Sequence, residues 1–373
     1  MPILDRGPVG FKNHFFSRTL IISIVFSIIF GSILTVLVIT QESNPPAPDV
    51  SARISYTVHS PISINGNAQF NHTNFPNNGV VSGNGTVSNP YIIEDWDINS
   101  TGTLFAIYIF NTTAHFKIMN CYLHNADSAG IRLTRVSNGS VINNDCINNK
   151  YDGIILMRAS NNTIINNRCF NNSLEDGILL TLYSVNNTIA NNVCVDNVYG
   201  IDLDTTSNHN VIFNNTCESN ACSIYIYSSR KNIITNNICS NSSSYGLYIF
   251  TTASSSLNMI WNNTFYHNNG AGDAYDPSHL QAFDSGANNW WNSTSGYGNW
   301  WSDLTGPDNI VPYGIVDWSY NLTGSAGAKD YYPLTNKSIP PYIPEFSDTL
   351  IPIAGLMLIA LVFGRVRKQR EDS

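Results

Sequence analysis

Apolar residues in the middle of this chain come singly and in a fixed phase. Between residues 98 and 270 an aliphatic side chain (Val141, Ile164, Ile189, Ile212, Ile234, Ile260) is followed five positions later by a cysteine or its substitute. The cysteines are Cys121, Cys146, Cys169, Cys194, Cys217 and Cys239, spaced 25, 23, 25, 23 and 22 residues apart, with Ile98 before them and Phe265 after. A small residue and an apolar–x–apolar triplet follow, as in Gly130–Leu133, Gly153–Leu156, Gly177–Leu180, Gly200–Leu203, Ser223–Ile226 and Gly246–Ile249. Self-similarity at two dozen residues marks a stacked repeat architecture. Alternate residues of a strand face opposite ways, so each repeat predicts three very short strands, each turning its apolar residues inward. Such a repeat buries little alone; stacking closes the core. Coils rising about 4.8 Å each would give a rod on the order of 35 Å from eight repeats. The expected fold is all-β: a right-handed parallel β-helix with caps.

The polar positions are as periodic as the apolar ones. Asparagine stands two residues before the anchor (Asn144, Asn167, Asn192, Asn215, Asn237, Asn263) and three after it (Asn149, Asn172, Asn197, Asn220, Asn268, with Ser242). It also stands seven before it (Asn162, Asn187, Asn210, Asn232, Asn258, with Gly139). Asparagine tolerates left-handed backbone and bonds its local backbone, so it suits bends. Stacked at one bend, its amide can donate to one coil and accept from another, making a ladder.

The coils resemble the parallel β-helix repeats of NosD-type and related carbohydrate-binding and sugar-hydrolase proteins. The leading flank GNGTVSNPYIIEDWDI (Gly83–Ile98) and the closing flank GNWWSDLTGPDN…YYPL are similar to that family's terminal segments, over about Ile62 to Leu334. The resemblance implies fold, and says little of activity. The family's calcium-like acidic run is missing from TGPDNIVPYGIVD, so no metal is expected, and no cofactor.

The chain divides by composition into a basic tail (1–18), an apolar segment (19–40) and a polar, Pro-rich linker (41–61). An N-terminal cap with first strands (62–97), the repeats (98–270) and a Trp-rich cap (271–335) follow. A Pro-rich linker (336–349), an apolar segment (350–364) and a basic tail (365–373) close it. Leu20–Thr40 is long enough to span a bilayer and longer than a usual signal core. It reads as a signal anchor, with a cleaved signal peptide as the alternative. The Pro344–Phe346 motif, the apolar run and the basic tail resemble the PEF-CTERM type of archaeal sorting signal, which implies an archaeosortase-type processing enzyme as a partner. A plain membrane anchor is the alternative. Basic residues beyond both apolar segments leave the rod outside the cell.

Net charge is −8; the two tails carry +2 each, leaving −12 between them. An acidic surface disfavours nucleic acid. Asn-x-Ser/Thr sequons at Asn71, Asn84, Asn99, Asn111, Asn292, Asn321 and Asn336 are candidate glycan sites in an exported chain. The cysteines in one column read as buried thiols acting as small hydrophobes. Bridges between adjacent coils or a soft-metal site remain alternatives. Histidines are scattered and form no ligand pair.

The chemistry worth weighing is outward. Beside the apolar triplets stand Tyr108/Phe110, Arg132/Thr134, Ile155/Met157, Leu179/Thr181, Asp202/Asp204, Tyr225/Tyr227 and Tyr248/Phe250. Aromatic rings at coil spacing can stack on sugars, and Asp202 and Asp204 can accept their hydroxyls. This makes Tyr225, Tyr227, Tyr248, Phe250, Asp202 and Asp204 the candidate glycan contacts. Asp202 and Asp204 lie roughly 7 Å apart on one strand, and Asp152 and Asp176 form a second carboxylate pair on adjacent coils. Aromatics are also simply good strand residues. Trp290, Trp291, Trp300 and Trp301 suit a lid over the last coil, or a carbohydrate-binding loop. The expectation is an anchored surface protein with a structural, adhesive or glycan-contact role and no catalysis. A polysaccharide lyase or hydrolase using Asp202 and Asp204 is the alternative, and NosD-like copper handling the second.

Overall fold

The structure is a computed structural model that describes residues 56–250, 254–310 and 314–335. The two apolar segments, both basic tails and the Pro344–Phe346 motif lie outside the described residues. Among the described residues no helix is long and apolar enough to cross a membrane.

The short strands fall into three parallel sheets that run the length of the repeats, in about eight turns. One sheet has ten strands, from Thr57–Val58 to Trp300–Trp301; one has nine, from Ile62–Asn65 to Ala282–Asp284; the third has eight, from Tyr91–Glu94 to Met259–Trp261. Within the repeats each turn contributes one strand to each sheet, which is a parallel β-helix. The register is like upon like. In the eight-stranded sheet Ile93, Ile118, Val141, Ile164, Ile189, Ile212, Ile234 and Ile260 pair in succession. In the nine-stranded sheet Ile62, Ile107, Ile131, Ile154, Ile178, Ile201, Ile224 and Leu247 do the same.

The ten-stranded sheet corrects one expectation. Its column runs Ile98, Leu123, Cys146, Cys169, Cys194, Cys217, Cys239, Phe265, Trp301. Five thiols stand in file, and Cys121 is not the sixth. It lies two residues before Leu123, at the foot of an asparagine ladder, where its backbone N–H donates to Asn144 Oδ1 at 3.0 Å. The cysteine spacing misled because Leu123 fills the same inward pocket as the later cysteines. All seven cysteines are free and buried.

Asparagines at the corners do two jobs. The first of each pair, Asn143, Asn166, Asn191, Asn214, Asn236 and Asn262, turns the chain with φ between 55° and 58°. The second is buried and makes the ladder. Asn192 shows the pattern: its Nδ2 donates to Asn215 Oδ1 in the next coil and to Ile164 O in the previous one, at 3.0 and 2.9 Å. Its Oδ1 accepts from the Nδ2 and backbone N–H of Asn167. This ladder continues through Asn237 and Asn263 to Asn299. Two more run through Asn149, Asn172, Asn197 and Asn220, and through Asn162, Asn187, Asn210, Asn232 and Asn258. The glycine column has a packing reason. A Cβ on Gly177 would lie 2.6 Å from Gly200 O and 3.0 Å from Cys194.

Both ends of the core are covered by rings. At the start, the 3-10 turn Asn67–Phe70 brings Phe70 over Tyr91 (4.8 Å, 6° between planes) and Phe116. At the far end Trp301 lies between Phe265 and Tyr320, stacked on both. Tyr320 belongs to the one antiparallel pair among the described strands, Tyr320–Asn321 with Lys329–Asp330. The Trp-rich segment is therefore partly one more turn of the β-helix, since Ala282–Asp284 and Trp300–Trp301 extend two sheets, and partly a lid.

Candidate functional site

The outer face of the nine-stranded sheet carries three rows of side chains. The middle row pairs Tyr108, Arg132, Ile155, Leu179, Asp202, Tyr225, Tyr248 and Phe283. Beside it, Phe110, Thr134, Met157 and Thr181 give way to Asp204, Tyr227 and Phe250. A third row stands at the corner before the small residues Ala106, Gly130, Gly153, Gly177, Gly200 and Ser223: Phe105, Ala129, Asp152, Asp176, Tyr199, Cys222.

Corner and middle rows meet on the diagonal, one coil apart. Arg132 lies over the Phe105 ring at 5.1 Å. Tyr199 stacks on Tyr225 at 4.5 Å and 7°, and Tyr245 leans on Phe283 at 5.5 Å. The same diagonal puts Asp176 against Asp202. Further along, Tyr225 meets Tyr248 edge-on, Tyr248 meets Phe283 likewise, and Tyr227 lies over Phe250. The candidate aromatics thus form one continuous strip, and Tyr199, Tyr245 and Phe283 belong to it although the triplet pattern did not single them out. Tyr199 and Tyr245 precede the triplets, so the signal available was their place before Gly200 and Gly246.

The carboxylates are less open than the alternation implied. Asp204 is half-buried, and its two oxygens accept the hydroxyls of Thr181 and Thr205. Asp202 is 7% exposed, Asp152 5% and Asp176 2%. An outward parity on the strand therefore did not mean contact with water. One oxygen each of Asp176 and Asp202 has no hydrogen-bond partner. Burial pushes the Asp152 carboxyl up to about 7. Burial, then the charges of Asp202, Asp152 and Glu175, push Asp176 well up. Asp202 is held well up by burial, then by Asp204, Asp152 and Glu175. Burial and the Asp202 charge raise the Tyr199 phenol to about 12. At the centre of the face burial therefore favours the neutral forms of the Asp152, Asp176 and Asp202 carboxyls and of the Tyr199 phenol beside them.

A profile of the family described as "Periplasmic copper-binding protein (NosD)" matches residues 63–306. The chain belongs to the NosD family. No curated protein matches its sequence. Among solved structures, a double mutant of the periplasmic alginate epimerase AlgG is similar at 20% identity and a TM-score of 0.44, over 53% of this chain and 49% of that one. The A-module of the Azotobacter vinelandii mannuronan C-5 epimerase AlgE6 is similar at 13% identity and a TM-score of 0.44, over 56% of this chain and 64% of that module. Alginate lyase from Paenibacillus sp. str. FPU-7 is similar at 15% identity and 0.35, over 58% and 83%. This NosD-family chain spans about half of the AlgG length, and likeness at this level carries no statement about activity.

The copper in the family description finds no fitting donor set among the described residues of this NosD-family chain. No three His, Cys, Asp or Glu side chains converge there as a metal site. The thiols of the column are sealed in the core. A metal-binding thiol must lose its proton. Contact with the preceding thiol and burial together push Cys169, Cys194 and Cys217 well above the usual thiol range.

Proposed function

We propose that this NosD-family protein is exported and membrane-held, and that the outer face of its nine-stranded sheet contacts cell-surface glycan without cleaving it. The observation that carries the reading is the strip from Tyr199 to Phe283, whose rings repeat at the coil rise of about 4.8 Å. A sugar ring has one apolar face and a polar edge, and a row of tyrosines presents the complementary pair of surfaces. Asp202, Asp204 and Thr181 border the strip with hydrogen-bonding groups. Catalysis is not part of the proposal, because both oxygens of Asp204, the more open carboxylate of the pair, are engaged by threonine hydroxyls.

The apolar segments 19–40 and 350–364 support the membrane part of the reading, and Pro344–Phe346 supports processing by an archaeosortase-type enzyme. The hydrolase alternative draws on the burial of Asp202, which raises its carboxyl in the direction a general acid requires. A glycan array decides. The intact protein should bind at least one glycan class, the Tyr225→Ala/Tyr248→Ala variant should lose that signal, and no reducing ends should appear. A blank array removes the binding reading. Sugar release abolished by Asp202→Asn establishes the hydrolase.

A further inference from the structure

The carboxyl cluster at the centre of the face has a chemistry of its own. Asp152, Asp176 with Glu175, and Asp202 with Asp204 lie on three successive coils, near enough that their charges act on one another. Tyr199, Tyr225 and Cys222 surround them without charge, their own ionisation raised by burial first. Arg132 is the one cation acting on the cluster, at Asp152 alone. It is engaged by the Phe105 and Tyr108 rings and by Met157 Sδ. Among the described residues no lysine or arginine forms an ion pair with Asp176 or Asp202. Each of these two is more than nine-tenths buried and keeps an oxygen with no partner. A buried acceptor left unpaired costs about 1–3 kcal/mol, so the cluster is built to receive a donor.

We propose that this cluster is a subsite for the ammonium group of an amino sugar, and that the glycan on this face is a de-N-acetylated hexosamine polymer. The inference rests on the glycan reading of the face and names its ligand class. An ammonium brings three donors and one positive charge, which suits a site rich in unpaired acceptors and poor in cations. A uronate would add a negative charge beside five carboxyls. A plain hydroxyl supplies one donor and no charge. The stacked Tyr199–Tyr225 pair borders Asp202 and would hold the ring that carries the amine. In the free protein a proton does the neutralising; when the ammonium enters, that proton leaves to the buffer. Binding and proton release are therefore linked.

The test is titration calorimetry of the full chain at about pH 6, below the value to which burial raises Asp152. The probes are hexamers of glucosamine, N-acetylglucosamine and galacturonate, each in buffers of different ionisation enthalpy. Glucosamine hexamer should bind at least tenfold more tightly than the other two and release about one proton. Asp176→Asn and Asp202→Asn mimic the protonated side chains and should fold with unchanged melting. Each should cost about tenfold in glucosamine affinity, or about 1.4 kcal/mol, and remove the proton release. Equal binding of the acetylated or uronate hexamer overturns the inference and leaves the glycan face standing, as does glucosamine binding indifferent to Asp202→Asn. Silence from all three hexamers overturns the inference alone; silence on a full glycan array as well overturns both.

Discussion

The corners and the outer face of this β-helix use repetition in opposite ways. At the corners the same residue recurs in coil after coil, and each copy satisfies the next: Asn167, Asn192 and Asn215 are bonded alike. On the outer face the row changes from coil to coil between Arg132 and Tyr225, through Ile155, Leu179 and Asp202. Identity between neighbours makes a scaffold, because each rung completes its neighbours' hydrogen bonds. Difference between neighbours makes a surface that can recognise something. Two carboxyls set side by side there, Asp176 and Asp202, are left with unpaired oxygens, which no corner asparagine of the long ladder is.

The sharpest break in that contrast is at the lid. Trp301→Ala removes a side chain stacked on Phe265 and Tyr320 and leaves Asp330 without its indole donor. It should cost about 3–5 kcal/mol, read by urea unfolding. Next, Asn192→Ala leaves the Asn167 N–H and a share of Ile164 O unpaired in the core and should cost about 3 kcal/mol. Its neighbour Asn191, at φ 56°, should cost only about 1 kcal/mol as Ala and nothing as Gly. A difference of that size between adjacent asparagines separates ladder from bend.

A pH scan sharpens the contrast between the lid and the face. Asp330 sits in the lid with its carboxyl raised to about 6, and Asp152 on the face is at about 7, burial being the main cause in both. Both hold their proton more tightly folded than unfolded. The stabilisation is therefore complete below about pH 4 and lost as pH rises toward about 7. Stability should fall by about 3 kcal/mol for Asp330 and about 4 kcal/mol for Asp152 over that window, and Asp152→Asn should flatten its upper end. The smallest effect belongs to Tyr227, 37% exposed. Tyr227→Ala should change stability by less than about 0.5 kcal/mol while weakening glycan binding.

What was legible in the sequence follows the same division. Repetition is visible without coordinates, so the three sheets, the aliphatic columns and the ladders could be read from phase alone. Cys121 was misplaced because two inward positions two residues apart accept similar side chains, and only Leu123 shows which is the column. The face was less legible. Strand parity placed Asp202, Tyr225 and Tyr248 on the outer side of the sheet, but parity does not show that Asp152, Asp176 and Asp202 are buried there. The approach of Asp176 to Asp202 and of Tyr199 to Tyr225 is a diagonal relation between coils, which linear spacing does not display.

Amide hydrogen exchange on the folded protein tests the stack most directly. The backbone N–H groups of Asn144, Asn167, Asn192, Asn215 and Asn237 each donate to the side chain of the next coil. They should be among the slowest to exchange, and Asn192→Ala should release Asn167 first. If those amides exchange as fast as exposed loop amides, or if Asn192→Ala leaves Asn167 protected, the coils are not joined in the way described.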